Sequence, residues 1–256
     1  EPYYFKNPQN GVFLHFMRSA GTVALTGEAI AGHHSEGRYD LTKVKGEVAY
    51  CRRRAEAMLA QAEPLMDIYR EGDAVRLNAF LLADSRTPGP RRQILSVPPL
   101  YTMEPAYLET LLTQQAVPAE ERQRIAAYAR VRREQMEHIL SSDMLCLELP
   151  RLSAEAFAQF PPSLPLSDLF YERDVPYTYE TYLAHVRQTE AFAAAQPHCR
   201  LEWTGGGAFR NLQICIHEGQ WAMVSKGKSP AIHFVIRHPK LRTAIERFVP
   251  PVVEVE

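Results

Sequence analysis

From Asn211 to Lys226 the chain reads NLQICIHEGQWAMVSK, with Leu212, Ile214 and Ile216 at one set of alternate positions and Asn211, Gln213 and His217 at the other. A period of two broken at a glycine predicts two paired strands, NLQICIHE and WAMVSK. The polar set is either the wet side of an ordinary sheet or a group of side chains with a task. Near the start, Pro2 to Lys6, Val12 to Arg18 and Thr22 to Thr26 read as short strands, separated by the turn signals NPQNG and SAG. A helix is expected from about Lys43, its stripe formed by Val44, Val48, Cys51, Ala55 and Leu59, with Arg52, Arg53 and Arg54 turned to water.

A second helical stretch covers Asp73 to Ala83, and SRTPGPRR after it reads as an exposed loop. Pro98 and Pro99 stop any helix through ILSVPPLYTM. A short helix over Glu104 to Gln115 leads to Pro118, placed as the first-turn proline of PAEERQRIAAYARVRREQMEHIL. The interleaved Glu and Arg of that helix mark a solvated face rather than a phosphate grip. Strand MLCLEL, amphipathic LSAEAFAQF and proline-rich PPSLPLSDLF follow, then the helix TYETYLAHVRQTEAFAAAQP with Tyr182, Val186, Thr189 and Phe192 on one stripe. The remainder is strand-rich, with CRLEW and AIHFVIR flanking the opening hairpin and PKLRTAIERF closing as a helix. Interleaved helices and strands make the fold class α/β.

The 256 residues are 46% hydrophobic and 23% charged, which suits one large domain or two smaller ones. A net charge of −1 argues against a dedicated nucleic-acid surface, since neutralising phosphates needs an excess of Lys and Arg. Cys51, Cys146, Cys199 and Cys215 show no CxxC pair, so they read as buried thiols of a reducing compartment and not as a zinc site or disulfide framework. No apolar run approaches the roughly 18 to 20 residues of a membrane span and no signal peptide is recognisable, so the expected location is cytoplasmic, with no membrane partner. The start on EPYYFKN, without methionine, reads as the middle of a domain.

Laying Glu1 onto Cys199 aligns PYYFKNPQNGVFLHFMRSAGTVALTGE with RLEWTGGGAFRNLQICIHEGQWAMVSK without a gap, and Gly21 meets Gly219. Two copies of one α/β unit are expected, the first truncated at its N-terminus. The order helix, strand, strand-turn-strand, strand, helix, with a polar dyad on the second strand, resembles half of the phospholipase D fold. Active halves of that family carry H-x-K-x4-D-G followed by Gly-Ser. Here the positions read Asn211-x-Gln213-x4-Glu218-Gly219 with Ser225-Lys226 beyond, and in the first copy Phe13-x-His15-x4-Ala20-Gly21 with Gly27-Glu28. The resemblance implies two degenerate phospholipase D-like halves with added helices, over 1–140 with a helical insertion and over 141–256. The family reaction runs through a covalent phospho-histidine with a general acid from the other half. Asn211 and Phe13 supply neither, and His15 falls at the lysine position, so no catalytic residue is expected.

What remains is a shared cleft. Asn211, Gln213, Glu218, Ser225 and Lys226 from the second copy and His15 and Glu28 from the first are the candidate ligand-binding residues, a neutral amide floor framed by opposite charges. Alternatively these groups satisfy one another across a buried pseudo-twofold interface. A second resemblance covers most of the chain: EPYYFKNPQNGVF, GTVALTGEAIAG, ILSVPPLYTM and NLQICIHEGQWAMVSKGKSPAIHFVIRHPKL are similar to the long C-terminal regions of bacterial Cro/repressor-type helix-turn-helix regulators. That resemblance implies a non-catalytic sensor of an unknown small-molecule effector, with a possible homodimer and with DNA bound only through a domain not in this chain. The alternative is a phospholipase D-like hydrolase with an altered active site; a structural interaction module is the third class. No cofactor or metal is expected. Gly205 to Gly207 lack the helix and Lys-Ser of a phosphate loop, and His33-His34 with Glu36 lack a third ligand. The basic group Lys226, Lys228, His233, Arg237, His238 and Lys240 reads either as an anion site or as a lysine-protected strand edge.

Overall fold

The computed structural model describes residues 2–4, 13–204 and 210–249, and the chain divides into two compact units, Glu1–Leu65 and Met66–Glu256. The first unit contains β1 (Tyr3–Tyr4), β2 (Phe13–Ala20), β3 (Val23–Ile30), β4 (His33–Thr42), α1 (Lys45–Leu59) and β5 (Glu63–Pro64). Strands β2, β3 and β4 form an antiparallel meander, while β1 pairs with β5 in a separate ribbon. Val48 and Cys51 of α1 bury against Ala24 and Met17 of the meander, the middle of the expected stripe, while Val44 and Leu59 at its ends are exposed. Strand β4, which holds His33, His34 and Glu36, is not among the strands expected from the sequence. Nearly every residue of β4 is exposed, so its two faces carry no contrast and its sequence has no period of two to detect. The turn NPQNG and the residues Phe5, Lys6 and Val12 lie outside the described residues.

The second unit runs β6 (Met66–Tyr69), α2 (Ala74–Asp84), β7 (Arg91–Ile94), α3 (Pro105–Gln114), α4 (Ala119–Leu140), β8 (Leu145–Pro150), α5 (Ala154–Gln159), α6 (Tyr179–Ala195), β9 (Cys199–Thr204), β10 (Leu212–His217), β11 (Trp221–Lys226), β12 (Ile232–Ile236) and α7 (Pro239–Glu246). Its seven strands make one mixed sheet in the order β6-β12-β11-β10-β7-β8-β9. The pairs β7–β8 and β8–β9 are parallel and every other pair is antiparallel, so only β10 and β12 run against the rest. Parallel neighbours need long crossovers, and those crossovers are the helices α3 and α4, then α5 and α6.

Alternation in MLCLEL points Leu145, Leu147 and Leu149 to one face, where all three are fully buried. Leu145 and Leu147 meet Met136 and Ile139 of α4 and Phe192 of α6, while Trp221, Met223 and Val235 meet Leu77 and Leu81 of α2. The opposite face carries Ile94, Ile216, Ala222 and Ile236, all buried, with α7 packed over β11. The helices expected around Tyr182 and after Pro118 are present, and their stripes are the core.

Two expectations change. Arg91 and Arg92 were expected in an exposed loop, but they open β7, and Arg91 is buried. A boundary at 140/141 would cut the sheet between β7 and β8, which are directly hydrogen-bonded; the compact units meet at 65/66 instead. The aligned copies share a meander followed by a helix, with Gly21 and Gly219 both at positive φ in the first hairpin turn. Their surroundings differ. The first hairpin pairs Ala20 with Val23 and the second pairs His217 with Trp221, and only the second meander has further strands, β6 and β7, on its edges among the described residues.

Below α6, the stripe that predicts Tyr182, Val186, Thr189 and Phe192 also buries His185. Tyr177 donates its hydroxyl hydrogen to His185 Nδ1 at 2.8 Å, which leaves Nε2–H to face the Pro99 carbonyl at 3.2 Å. Burial pushes His185 down to about 3. A histidine free in the unfolded chain titrates near 6.5, so its contribution to stability is complete above that pH and is lost as pH falls from about 6.5 toward 3. Within that window the stability advantage of the wild type over His185→Gln should shrink by about 1.4 kcal/mol per pH unit, read from urea unfolding at pH 7, 6 and 5.

Candidate functional site

Because β6, β7, β8, β9 and β11 run in one direction, their carboxyl ends share one edge of the sheet with the amino ends of β10 and β12. Ligands of open α/β sheets sit at that edge, where backbone leaves the ladder. Here it holds a cavity of about 430 Å³, within the usual range for small-molecule sites. Ser96 and Val97 beyond β7, Pro150 and Leu152 at the end of β8, Asn211 and Gln213 at the start of β10, and Gly227 and Lys228 beyond β11 form its strand side. Glu155 and Gln159 of α5 and the run Phe160 to Pro165 form the other wall. Prolines cannot donate to a ladder, so this run stands off the sheet and leaves space beneath it.

Two of the seven candidate residues line this cavity. Gln213 is half-buried, and among the described residues its amide makes no hydrogen bond. The Asn211 carbonyl accepts from Gly227 N–H at 2.7 Å, which closes β10 against β11. A Cβ at Gly227 would stand 3.7 Å from Gln213 Nε2, in ordinary van der Waals contact, so this backbone passes close beside the amide.

The other five are elsewhere. Ser225 is the direct cross-strand partner of Gln213, but its hydroxyl is buried and bonds His233 Nδ1 at 2.8 Å. Lys226 lies one residue on and points to the opposite face of the sheet; the cation at the cavity is Lys228. Glu218 sits in the turn beyond β10, about 17 Å along the strand from Gln213 at roughly 3.3 Å per residue. His15 and Glu28 are cross-strand partners in the first unit, exposed, with Nδ1 and Oε1 3.7 Å apart, while every residue lining the cavity belongs to the second unit. The expected frame of opposite charges around one dyad is therefore not assembled from these residues.

The polar face of β10 is not wet. Past Gln213, which opens to the cavity, Cys215 packs against the α2 cluster and His217 is fully buried. His217 Nδ1 lies 2.6 Å from Asp84 Oδ1, which also accepts from Trp221 Nε1 at 2.7 Å, while Arg91 Nε bonds Asp84 Oδ2 at 3.2 Å. Ser225, His233 and Asp168 lie close together without forming a hydrolytic triad. Serine and aspartate both approach the same nitrogen, Nδ1, at 2.8 and 3.9 Å, and Nε2 faces the Ser167 carbonyl. The basic group also disperses: Arg237 pairs with Asp67, and His238 caps α7.

Cys146, Glu148 and Glu202 bring their ligand atoms within 4.8 Å of one another on the face away from the α4 and α6 helices. Arg92 already holds both oxygens of Glu148, and Arg200 holds Glu202 at 2.7 Å, so each carboxylate is paired with a guanidinium. Burial, with the two glutamates, pushes Cys146 up to about 11; burial also pushes Cys199 up to about 11 and Cys215 up to about 12. Such thiols stay protonated at neutral pH and are poor nucleophiles. A second cavity of about 30 Å³ beside Gln93, Asp168 and Cys215 has room for a water and no more. The Gly205 to Gly207 turn lies outside the described residues.

Comparison of the chain with protein-family models, with curated proteins and with solved structures finds no match. Sequence reasoning missed the wall residues Glu155, Phe160 and Asp174 and the cation Arg210, and it named Lys228 only as a member of the basic group. The signal available was PPSLPLSDLF, a proline run directly after a strand and a short helix.

Stability separates the two residues paired across β10 and β11. Since His233 Nε2–H faces a carbonyl, Nδ1 accepts from Ser225, and Ser225→Ala should cost about 1 to 3 kcal/mol in urea unfolding by leaving a buried acceptor unpaired. Gln213→Leu, at the cavity, should change stability by less than about 0.5 kcal/mol.

Proposed function

We propose that this chain is a non-catalytic, ligand-sensing regulatory region, built on degenerate phospholipase D-like halves and working with a DNA-binding domain outside these residues. The observation that carries this reading is the cavity of about 430 Å³ at the carboxyl edge of the sheet, floored by the amide of Gln213, unpartnered among the described residues, and walled by the proline run. An amide with free donors and acceptor selects a polar ligand by leaving partners unpaired when the wrong molecule enters. Among the described residues no histidine or cysteine lines the cavity, so a serine there has no imidazole base beside it.

The meander-plus-helix order in both aligned segments, and the dyad positions Asn211 and Gln213 beside the carboxyl edge, support the phospholipase D-like ancestry. The similarity of the chain's wording to Cro/repressor-type regulators supports the regulatory role, with cytoplasmic location, an effector as partner and a homodimer as its working form. A hydrolase with an altered site is the competing reading; it would need Ser96, Ser153 or Ser163 activated by Glu155 or Asp174, and Ser153 Oγ is already engaged as the cap of α5, accepting from Ala156 N–H at 3.2 Å.

A metabolite screen by thermal shift tests both readings. A true ligand at 100 times its dissociation constant adds about 2.7 kcal/mol to the wild type and should add far less to Gln213→Leu. The same preparation should not turn over generic phosphodiesters. Turnover that survives purification, or a screen in which no compound distinguishes the two proteins, would sink the sensor reading.

A further inference from the structure

The charges around the cavity come in both signs and do not pair with each other. Arg210, just before β10, and Lys228, just after β11, stand on the strand side. Glu155 of α5 and Asp174 of the loop before α6 stand on the wall side. Among the described residues none of the four forms an ion pair, although all line one space; the Arg210 guanidinium instead lies 3.3 Å above the Phe160 ring centroid. Opposite charges that face a common cavity without meeting leave two electrostatic poles for an occupant to join. Between the poles the lining is mainly apolar, from Phe160 and the prolines, with Gln213 on the floor.

Resting on the sensor reading above, we infer that the cavity takes a small zwitterion with an apolar body, of dipeptide size, its carboxylate toward Arg210 and Lys228 and its ammonium toward Glu155 and Asp174. A ligand of one sign would meet repulsion from one pole. An uncharged ligand would gain nothing from either, while a cavity of this volume exceeds what a single small amino acid fills. The carboxylate suits Arg210 in particular, because a guanidinium held flat by an aromatic face keeps its edge donors free for a planar anion.

The test is isothermal titration of the full chain with leucyl-leucine, N-acetyl-leucyl-leucine and leucyl-leucine amide. Leucyl-leucine should bind, and blocking either terminus should weaken binding by about tenfold, since each end meets two exposed charges. In the double variant Glu155→Gln, Asp174→Asn the N-acetyl and free forms should bind alike while the amide stays weak. In Arg210→Gln, Lys228→Gln the pattern should invert. All four positions are on the cavity rim and exposed, so the variants should fold. Loss of affinity should also follow added salt, as expected for exposed poles. Failure of leucyl-leucine to bind at millimolar concentration, or equal binding of all three probes to the wild type, would overturn the zwitterion. A compound from the metabolite screen that needs Gln213 and carries no charge would overturn it too while leaving the sensor reading intact, and a screen in which nothing depends on Gln213 removes both.

Discussion

The buried carboxylate of Asp84 is the contact on which the second unit depends. It ends α2, and it accepts from His217 at the end of β10, from Trp221 at the start of β11 and from Arg91 at the start of β7. The Arg91 guanidinium then bonds the carbonyls of Asp84, Thr87 and Gly89, so the proline-glycine loop is stitched to the sheet. Gly89 takes φ +138°, and a Cβ there would stand 2.6 Å from His217 Nε2, so the loop closes on the ring only because a glycine is present. Ionised groups this deeply buried are tolerated only when each is matched, and removing one partner leaves the others unmatched at a cost of about 3 to 5 kcal/mol.

That network sits where the antiparallel meander joins the parallel strands, and it sets the register there. With Arg91 held opposite His217, Ile94 falls opposite Ile214. The chain beyond β7 therefore emerges as Ser96 and Val97 beside Gln213, and the parallel neighbour β8 ends alongside at Pro150. The cavity is the consequence at the far end of the same strands. Three segments leave the ladder together, and the proline run returns over them without filling the space.

The two polar groups on β10 thus serve different ends of one strand. His217 and, across the hairpin, Ser225 with His233 are bonded inside the protein and hold the helices and sheet together. Gln213, on the same face, reaches the cavity with no hydrogen-bond partner among the described residues. Chemistry follows from the same partition: the buried His185, His217 and His233 are locked by carbonyls, hydroxyls or Asp84, three thiols are held protonated by burial, and the cavity is left with amides, hydroxyls and separated charges. Such a set binds and discriminates better than it breaks bonds.

The sequence by itself determined most elements that have a contrast between faces. The leucines of MLCLEL, the Tyr182 stripe, the Val48 and Cys51 stripe and the hairpin at Gly219 all stand where periodicity puts them, because burial of one face writes a period into the chain. It also pointed to Asn211 and Gln213 as polar residues with something to do. Three things it left open. Strand β4 has no dry face and so no signal; Arg91 and Arg92 look like loop residues until Asp84 and Glu148 neutralise them inside the sheet; and strand alternation says only that two faces differ, not which is covered. Tertiary structure decided that the polar face of β10 lies under α2 and α4, which turned His217 and Ser225 inward as structural partners. It also brought Glu155, Asp174, Arg210 and Lys228 to Gln213 from segments up to 73 residues apart in the chain. Contacts between residues that far apart depend on how the strands order themselves in the sheet, and local sequence carries no record of that order.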